Sequence, residues 1–129
     1  RLRDGVTPLK SLCLTARDPE GILAGAVRNW PVLIGNEKAV LLGPIAVHPT
    51  RQGEGLASLL IGDCIARARA AGWERMMLVG DAPYYGRYGF EKLAGVQMPP
   101  PTNPDRVLGL AIQPDAWNDM TGAVTAIRD

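Results

Sequence analysis

The sequence predicts one α/β domain, of the α+β kind with a mixed sheet. Three strand-like runs come first, separated by short turns rich in glycine and proline, and this pattern is typical of antiparallel hairpins. A long helix pattern and a short buried strand follow, so we expect the chain to cross over and return parallel to the sheet. The 129 residues, 47% of them hydrophobic, suffice for one core but not comfortably for two. We therefore treat residues 1–129 as a single domain.

The first three strands are predicted from apolar runs bounded by turn residues. The runs are 11–17, 21–34 and 39–47, and the turns between them are 18–21 and 35–38. The third run, AVLLGPIAV, is almost wholly apolar, as in a strand buried on both faces. Its Gly43-Pro44 pair interrupts the ladder because proline has no N–H to donate, which predicts a bulge or a splay at this point.

The helix is predicted from apolar residues repeated at every fourth position. These are Leu56, Leu60, Cys64 and Ala68, with Leu59 and Ile65 at the flanks. Gly72 is a suitable end cap, and Trp73 is placed for the hydrophobic contact that often follows such a cap. A short buried strand is then expected at Met76–Val79.

The C-terminal half is predicted as a short helix followed by two strands. Asp81 suits a helix-capping carboxylate, and Gly89 stops the helix after Tyr84–Tyr88. The strands are expected at 91–97 and 106–112, on either side of a proline-rich loop. The remaining tail carries little pattern.

Composition excludes several classes of function. The net charge is +1, the pI is near 8.0 and no run of like charges occurs, so no nucleic acid or membrane partner is expected. No apolar stretch reaches the ~18 residues of a membrane span. Cys13 and Cys64 stand far apart in apolar segments without metal-ligand spacing, which favours reduced thiols in the cytoplasm and no metal site; a disulfide between them stays open. The first residue is Arg1, so we expect further residues upstream.

The segment HPTRQGEGLASLL, residues 48–60, places two glycines where the helix begins. Glycine inside a helix costs about 1 kcal/mol relative to alanine, so a different use is expected. Helix N-termini carry unpaired N–H groups and a positive dipole end, and glycine lets a bulky anion approach them. Residues 52–57 are therefore either a phosphate-binding loop or a permissive turn. The common nucleotide loops do not fit, because the chain has no Gly-Lys-Ser/Thr triplet and position 58 is serine rather than glycine.

Two motifs resemble the GNAT superfamily of N-acetyltransferases, in particular its bacterial YhbS-like branch. The segment with the two glycines is similar to the acetyl-CoA loop of that superfamily, where Gln52, Gly55 and Ala57 fill the pattern of Gln or Arg, two residues, Gly, one residue, and Gly or Ala. Tyr84–Phe90, YYGRYGF, is similar to a second signature, in which aromatic residues precede Gly-Phe. Both motifs occur in the family's order, and the resemblance extends over most of the chain.

The resemblance implies the GNAT acyltransferase fold and an enzyme that moves an acetyl group from acetyl-CoA to a primary amine by direct attack. It implies a small-molecule or peptide amine as acceptor, no metal, and the homodimers common in relatives. Tyr85 matches the family tyrosine that approaches the coenzyme sulfur and is the catalytic candidate. The candidate coenzyme-binding residues are Ile45, Ala46, Val47, Arg51, Gln52, Gly53, Glu54, Gly55, Leu56 and Ala57.

The sequence departs from the family pattern at its start. The family opens with a strand and two helices that wall the acceptor site, whereas only residues 1–10 precede the first predicted strand. No general base is assigned, because Asp81 suits a helix cap, His48 a strand end and Glu54 a solvated loop. These two features support an alternative function, a non-catalytic acyl-CoA-binding regulatory domain. A protein-interaction module that has lost the ligand is a third.

Overall fold

The computed structural model describes residues 9, 13–17, 19–53 and 55–127. Its strands, in chain order, are β1 (Leu14–Arg17), β2 (Leu23–Ile34), β3 (Glu37–Val47), β4 (Arg75–Val79), β5 (Glu91–Lys92), β6 (Val96–Gln97), β7 (Val107–Ala111) and β8 (Gly122–Ala126). Its helices are α1 (Leu56–Ala70) and α2 (Ala82–Tyr85), and 3-10 turns cover Pro49–Arg51, Gly86–Tyr88 and Pro104–Arg106. Residues 11 and 12, at the start of the first predicted strand, lie outside the described residues.

The strands form a mixed sheet in the order β5-β7-β4-β3-β2-β8-β6, with β1 beside the first half of β2. β2 and β3 make a long antiparallel hairpin around the turn at 35–36. β3 and β4 are parallel, as the helical crossover between them predicts, and β4 pairs antiparallel with β7. The mixed α/β sheet expected from the sequence is therefore confirmed.

Gly43 and Pro44 form a bulge in the middle of β3. The register with β2 shifts there, so that one residue, Arg28, lies opposite both. The indole Nε1 of Trp30 donates to the Gly43 carbonyl at 2.8 Å and ties the bulge to β2. Within the described residues, β4 pairs with β3 only at residues 40–41, so the two strands separate just before the bulge. The predicted bulge and splay are both confirmed.

Helix α1 packs one face on the sheet. Gly25 in β2 permits the close approach, because a Cβ there would lie 3.1 Å from Leu56 Cδ2 and 3.2 Å from Leu60 Cδ1. Leu59 was expected at the flank of this face but is 67% exposed, since it lies one residue, about 100°, around the helix from Leu60 toward solvent. The buried residues of the helix are Leu60, Ile61, Cys64 and Ala68.

The C-terminal end of α1 closes with the predicted glycine cap. Gly72 has a φ of +87°, and its N–H donates to the Arg69 carbonyl at 3.1 Å. The N–H of Trp73 donates to the Ala68 carbonyl at 3.0 Å, which completes a Schellman motif. Trp73 is partly buried against the core, so the cap leads the chain directly into β4.

Two apolar clusters cover the two faces of the sheet. The first lies under α1 and includes Val27, Val40, Leu42, Leu60, Leu78 and Phe90, with Tyr85 and Tyr88 packed against it. The second lies on the opposite face and includes Trp30, Val32, Leu41, Met77 and Val107, with Leu93, Met98, Trp117 and Met120 packed against it. Alternate residues of β3 enter different clusters, as the two-residue period of a strand requires.

Two predictions for the C-terminal part were wrong. Residues 91–97 form two strands rather than one, because a turn at 94–95 separates β5 from β6 and each pairs with a different neighbour. The tail, which carries little pattern, contains β8, paired with β2 at residues 32–34. The sequence of β8, GAVTA, has one large apolar residue, so this strand depends on its pairing with β2 more than on local preference.

Arg75 anchors the loop between β7 and β8 to the second face. Its side chain is buried; Nε donates to the Ala116 carbonyl at 2.9 Å, and Nη1 donates to the Lys38 carbonyl at 2.7 Å. The carboxylates of Glu37 and Glu74 lie 3.7 and 3.5 Å from its Nη atoms. A buried guanidinium needs such partners, and they join the starts of β3 and β4 to this loop.

Candidate active site

The start of α1 is a glycine loop with a left-handed backbone. Gly53 has a φ of +89° and Gly55, the N-cap residue, a φ of +78°. No side chain caps the helix at this end, so its first N–H groups are left for another partner. A Cβ added at either glycine would meet no atom within 4 Å, which means that the space around the loop is open. The loop therefore has the geometry and dipole of an anion site.

A cleft of about 360 Å³ borders this loop, and we call it the loop cleft. One wall consists of Val47, Gln52, Gly53, Gly55, Leu56, Ala57 and Ser58, and the other of Tyr84 and Arg87. The Arg87 Nε donates to the Tyr84 carbonyl at 3.0 Å, and its guanidinium carbon lies 4.5 Å from the Tyr84 ring centroid. These contacts hold a cation at the cleft, opposite the unpaired amides. Arg87 was not among the residues predicted from the sequence.

Most of the predicted loop residues lie together in this cleft. Gln52 also donates from its side-chain Nε2 toward the Val47 carbonyl at 3.5 Å, which links the loop to the end of β3. The side chain of Arg51 and all of Glu54 lie outside the described part of the structure, so their predicted roles stay predictions.

The predicted arm-binding residues, Ile45–Val47, form an edge of β3. On one side they pair with residues 25–27 of β2. On the other side, the described residues place no strand beside them, because β4 has already diverged. The backbone groups on that side are available to an extended ligand, in the way that a strand would bind.

The divergence of β3 and β4 opens a second cleft, of about 140 Å³, which we call the strand gap. Its lining residues are Leu41, Leu42, Gly43, Pro44, Ile45, Leu78, Val79, Tyr85 and Met98. Tyr85 packs with the cluster on the α1 face, and Met98 packs with the cluster on the opposite face. The gap therefore lies between the two layers, with one of these side chains toward each.

The three tyrosines have different hydrogen-bond partners. The Tyr88 hydroxyl donates to the Tyr84 hydroxyl at 2.9 Å, and Ser58 Oγ lies 2.7 Å from the Tyr88 hydroxyl. In the described part of the chain, the Tyr85 hydroxyl has no hydrogen-bond partner. Tyr84 and Tyr88 share one face, as their spacing predicts, but Tyr84 lines the loop cleft instead of the core. Phe90 is a core residue, 3% exposed, as predicted.

Backbone packing fixes the position of Tyr85. Its ring lies against Gly80, where an added Cβ would overlap it. Edge-to-face contacts with Tyr84 and Phe90 hold the ring from two sides, at centroid distances of 4.9 and 6.2 Å. Burial raises the pKa of Tyr85, and the neighbouring Tyr88 raises it further. The phenol is therefore protonated at neutral pH and can act as a donor in the strand gap.

Both described candidates for a general base serve as turn caps. The Asp81 carboxylate accepts from the Tyr84 N–H at 3.3 Å at the start of α2. The His48 Nδ1 lies 2.8 Å from Thr50 Oγ1 and accepts from the Thr50 N–H at 3.3 Å. Both observations agree with the capping roles expected from the sequence.

A larger cleft, of about 520 Å³, lies between β5, β7 and the loop that follows β7. Lys92, Asp115, Trp117 and Asp119 are among its lining residues, and none of the predicted site residues is. Among the described residues, no three His, Cys, Asp or Glu side chains are grouped to hold a metal ion. No helix in the described ranges is both long and apolar enough for a membrane span.

Residues 8–90 match the model of the acetyltransferase (GNAT) family, and the chain belongs to this family. The match includes the glycine loop, the strand gap and the aromatic segment. The resemblance predicted from the two motifs is thus confirmed.

Relatives and solved structures agree with this assignment. The chain is 34% identical over 86 residues to the uncharacterized N-acetyltransferase YhbS of Escherichia coli K12, a match covering 65% of this chain and 52% of YhbS. A crystal structure of E. coli YhbS in complex with CoA superposes with a TM-score of 0.82 and 29% identity, over 88% of this chain and 65% of that one. A Brucella melitensis GNAT acetyltransferase in complex with acetyl-CoA gives 0.67 and 33%, over 85% and 62%. The chain thus spans about half the length of YhbS.

Proposed function

We propose that this protein is an acetyl-CoA-dependent N-acetyltransferase that acts on a primary amine by direct attack on the thioester. The observation that carries the proposal is the unpartnered hydroxyl of Tyr85 in the strand gap, at the end of an unpaired edge of β3 that begins at the glycine loop. The CoA and acetyl-CoA bound by the two solved relatives support the choice of donor.

The proposed donor site runs from the loop cleft to the strand gap. The amides of residues 52–57 and the Arg87 guanidinium bind the diphosphate, because both present positive charge to the same cleft. Residues 45–47 bind the pantetheine arm through their backbone groups. The thioester then lies beside Tyr85 in the strand gap.

Two donors are proposed for the chemical step. A backbone N–H at Ile45 or Ala46 polarises the thioester oxygen as negative charge develops on it. Tyr85 donates a hydrogen bond to the leaving sulfur. Full proton transfer from a phenol of pKa ~10 to a thiolate of pKa ~8.5 is uphill by about 2 kcal/mol, and the raised pKa of Tyr85 makes it less favourable still. Hydrogen bonding is therefore the larger part of its role.

The acceptor amine must reach the strand gap uncharged. A lysine-like amine with a pKa near 10.4 pays about 4.6 kcal/mol to lose its proton at pH 7. Because His48 and Asp81 cap their own turns, we propose that the amine is deprotonated before it enters. This favours weakly basic amines of small molecules or peptides. We also propose a cytoplasmic location, since both cysteines are free thiols.

The test is CoA release from acetyl-CoA with a panel of primary amines, combined with the Tyr85→Phe substitution. We expect Tyr85→Phe to lower kcat by tenfold or more while the Kd of acetyl-CoA changes less than twofold, because a transition-state hydrogen bond is lost. Tyr88→Phe is the matched control, since it removes a hydroxyl of the same aromatic segment that does not line the strand gap. Equal kcat values for Tyr85→Phe and the wild type would contradict the assignment.

The alternative is a non-catalytic acyl-CoA-binding regulatory domain. The capping roles of both described base candidates favour it. Acetyl-CoA binding without CoA release, in the full-length protein and with the whole amine panel, would support this alternative over the enzyme. If acetyl-CoA failed to raise the melting temperature, neither function would hold.

A further inference from the structure

The far wall of the strand gap is a methionine from a separate part of the chain. We propose that Met98 sets the length of the acyl chain that this site accepts and restricts it to the acetyl group. The inference rests on the proposed function, since it assumes that the thioester lies in the strand gap.

Met98 closes the gap from the face opposite Tyr85. It follows directly after β6, is partly buried, and packs against the second apolar cluster. The other lining residues belong to β3 and to the segment from β4 to α2. Met98 is thus the lining residue that comes from beyond these elements, and an acyl chain extended past Tyr85 would meet it.

The volume of the gap suits a short acyl group. An apolar cavity of about 150 Å³ holds a molecule the size of benzene, with six non-hydrogen atoms. The gap measures about 140 Å³. An acetyl thioester has four non-hydrogen atoms, counting its sulfur, and two carbons of the arm bring this to six. A propionyl or butyryl chain would need space that the Met98 side chain occupies.

The surroundings of the gap make this wall apolar and adjustable. Leu78, Val79 and Leu41 offer no hydrogen-bonding side chain, so an alkyl chain is the chemistry that fits. Methionine is unbranched and fills irregular space well. Met98→Ala removes Cγ, Sδ and Cε from the wall and leaves β3 and Tyr85 in place.

The test compares acetyl-CoA, propionyl-CoA and butyryl-CoA by calorimetric Kd and by CoA release, for wild type and Met98→Ala. One added methylene in an apolar pocket changes selectivity about 10- to 200-fold. We therefore expect Met98→Ala to raise the butyryl-to-acetyl ratio at least tenfold, in Kd and in kcat/KM. Met120→Ala is the matched control, because Met120 packs against the same cluster but does not line the strand gap. Its ratio should stay within twofold of the wild type.

The possible failures are distinguishable. If the three esters bind and Met98→Ala leaves their ratio unchanged, the role of Met98 is overturned while the proposed function stands. If the ratio shifts in Kd but no ester is turned over, Met98 keeps its role and the enzymatic proposal falls. If none of the esters binds the wild type, both fall. Met98→Val, with the same expected direction, replaces Met98→Ala if that variant does not fold.

Discussion

Two glycines seven residues apart should respond in opposite directions to the same substitution. Gly55 sits at φ +78° and ψ 9°, a left-handed conformation that costs an alanine about 1–2 kcal/mol. The smaller entropy of the unfolded alanine chain returns about 0.4–1 kcal/mol of this. Gly55→Ala should therefore destabilise the protein by about 1 kcal/mol.

Gly62 lies inside α1, exposed, and an added Cβ there would meet nothing within 4 Å. Alanine is preferred over glycine in a helix interior by about 0.5–1 kcal/mol, so Gly62→Ala should stabilise the protein by that amount. The two variants should thus differ by about 1.5–2 kcal/mol. In a domain of this size that is roughly 6 °C in Tm.

Urea unfolding followed by circular dichroism measures both changes, with equal m-values as the check that the unfolded states are comparable. A Gly55→Ala variant as stable as the wild type would show that residue 55 does not need the left-handed backbone. A destabilised Gly62→Ala variant would contradict the account of the helix interior. If residues 52–57 bind the diphosphate, only Gly55→Ala should also reduce the rise in Tm produced by CoA.

Two further predictions concern charge. Arg87→Met should raise the Kd of CoA about fivefold at low salt, or ~1 kcal/mol, the upper range for an exposed ion pair, and by less at 0.5 M salt because screening weakens the pair. Arg69→Met, in the last turn of α1, is the control, and an equal loss in both would rule out a specific role for Arg87. The second prediction is alkaline instability. Burial raises the pKa of the Cys64 thiol, so the stability it contributes is complete below the unfolded pKa of ~8.5 and declines as pH rises through the higher folded pKa. Cys64→Ser, which keeps an acceptor for Asn29 Nδ2, should lose less stability than the wild type between pH 8 and 10.5 in urea titrations; an equal loss would mean that Cys64 does not titrate in this range.

Local chemistry made part of the fold predictable. Proline removes a ladder donor wherever it stands, so Gly43-Pro44 predicted a disruption of β3. Glycine at a helix start and glycine after a helix end have recognised backbone uses, and Gly55 and Gly72 both have the positive φ that such uses require. These features depend on a few neighbouring residues, which the sequence contains in full.

Features set by distant contacts were not predictable. β8 forms because β2 offers an edge at residues 32–34, which no local pattern in GAVTA encodes. Arg87 enters the site because the Ser58–Tyr88 contact brings α1 and the aromatic segment together across thirty residues. Met98 was visible only as an apolar residue before prolines, and its place in the strand gap follows from the split of residues 91–97 into two strands.

The most direct measurement is a crystal structure of this protein with acetyl-CoA bound. The account predicts the diphosphate on the amides of residues 52–57 facing Arg87, the arm along residues 45–47, and the sulfur within hydrogen-bond distance of the Tyr85 hydroxyl. A diphosphate bound instead in the larger cleft between β5, β7 and the following loop, with the strand gap unchanged, would contradict it.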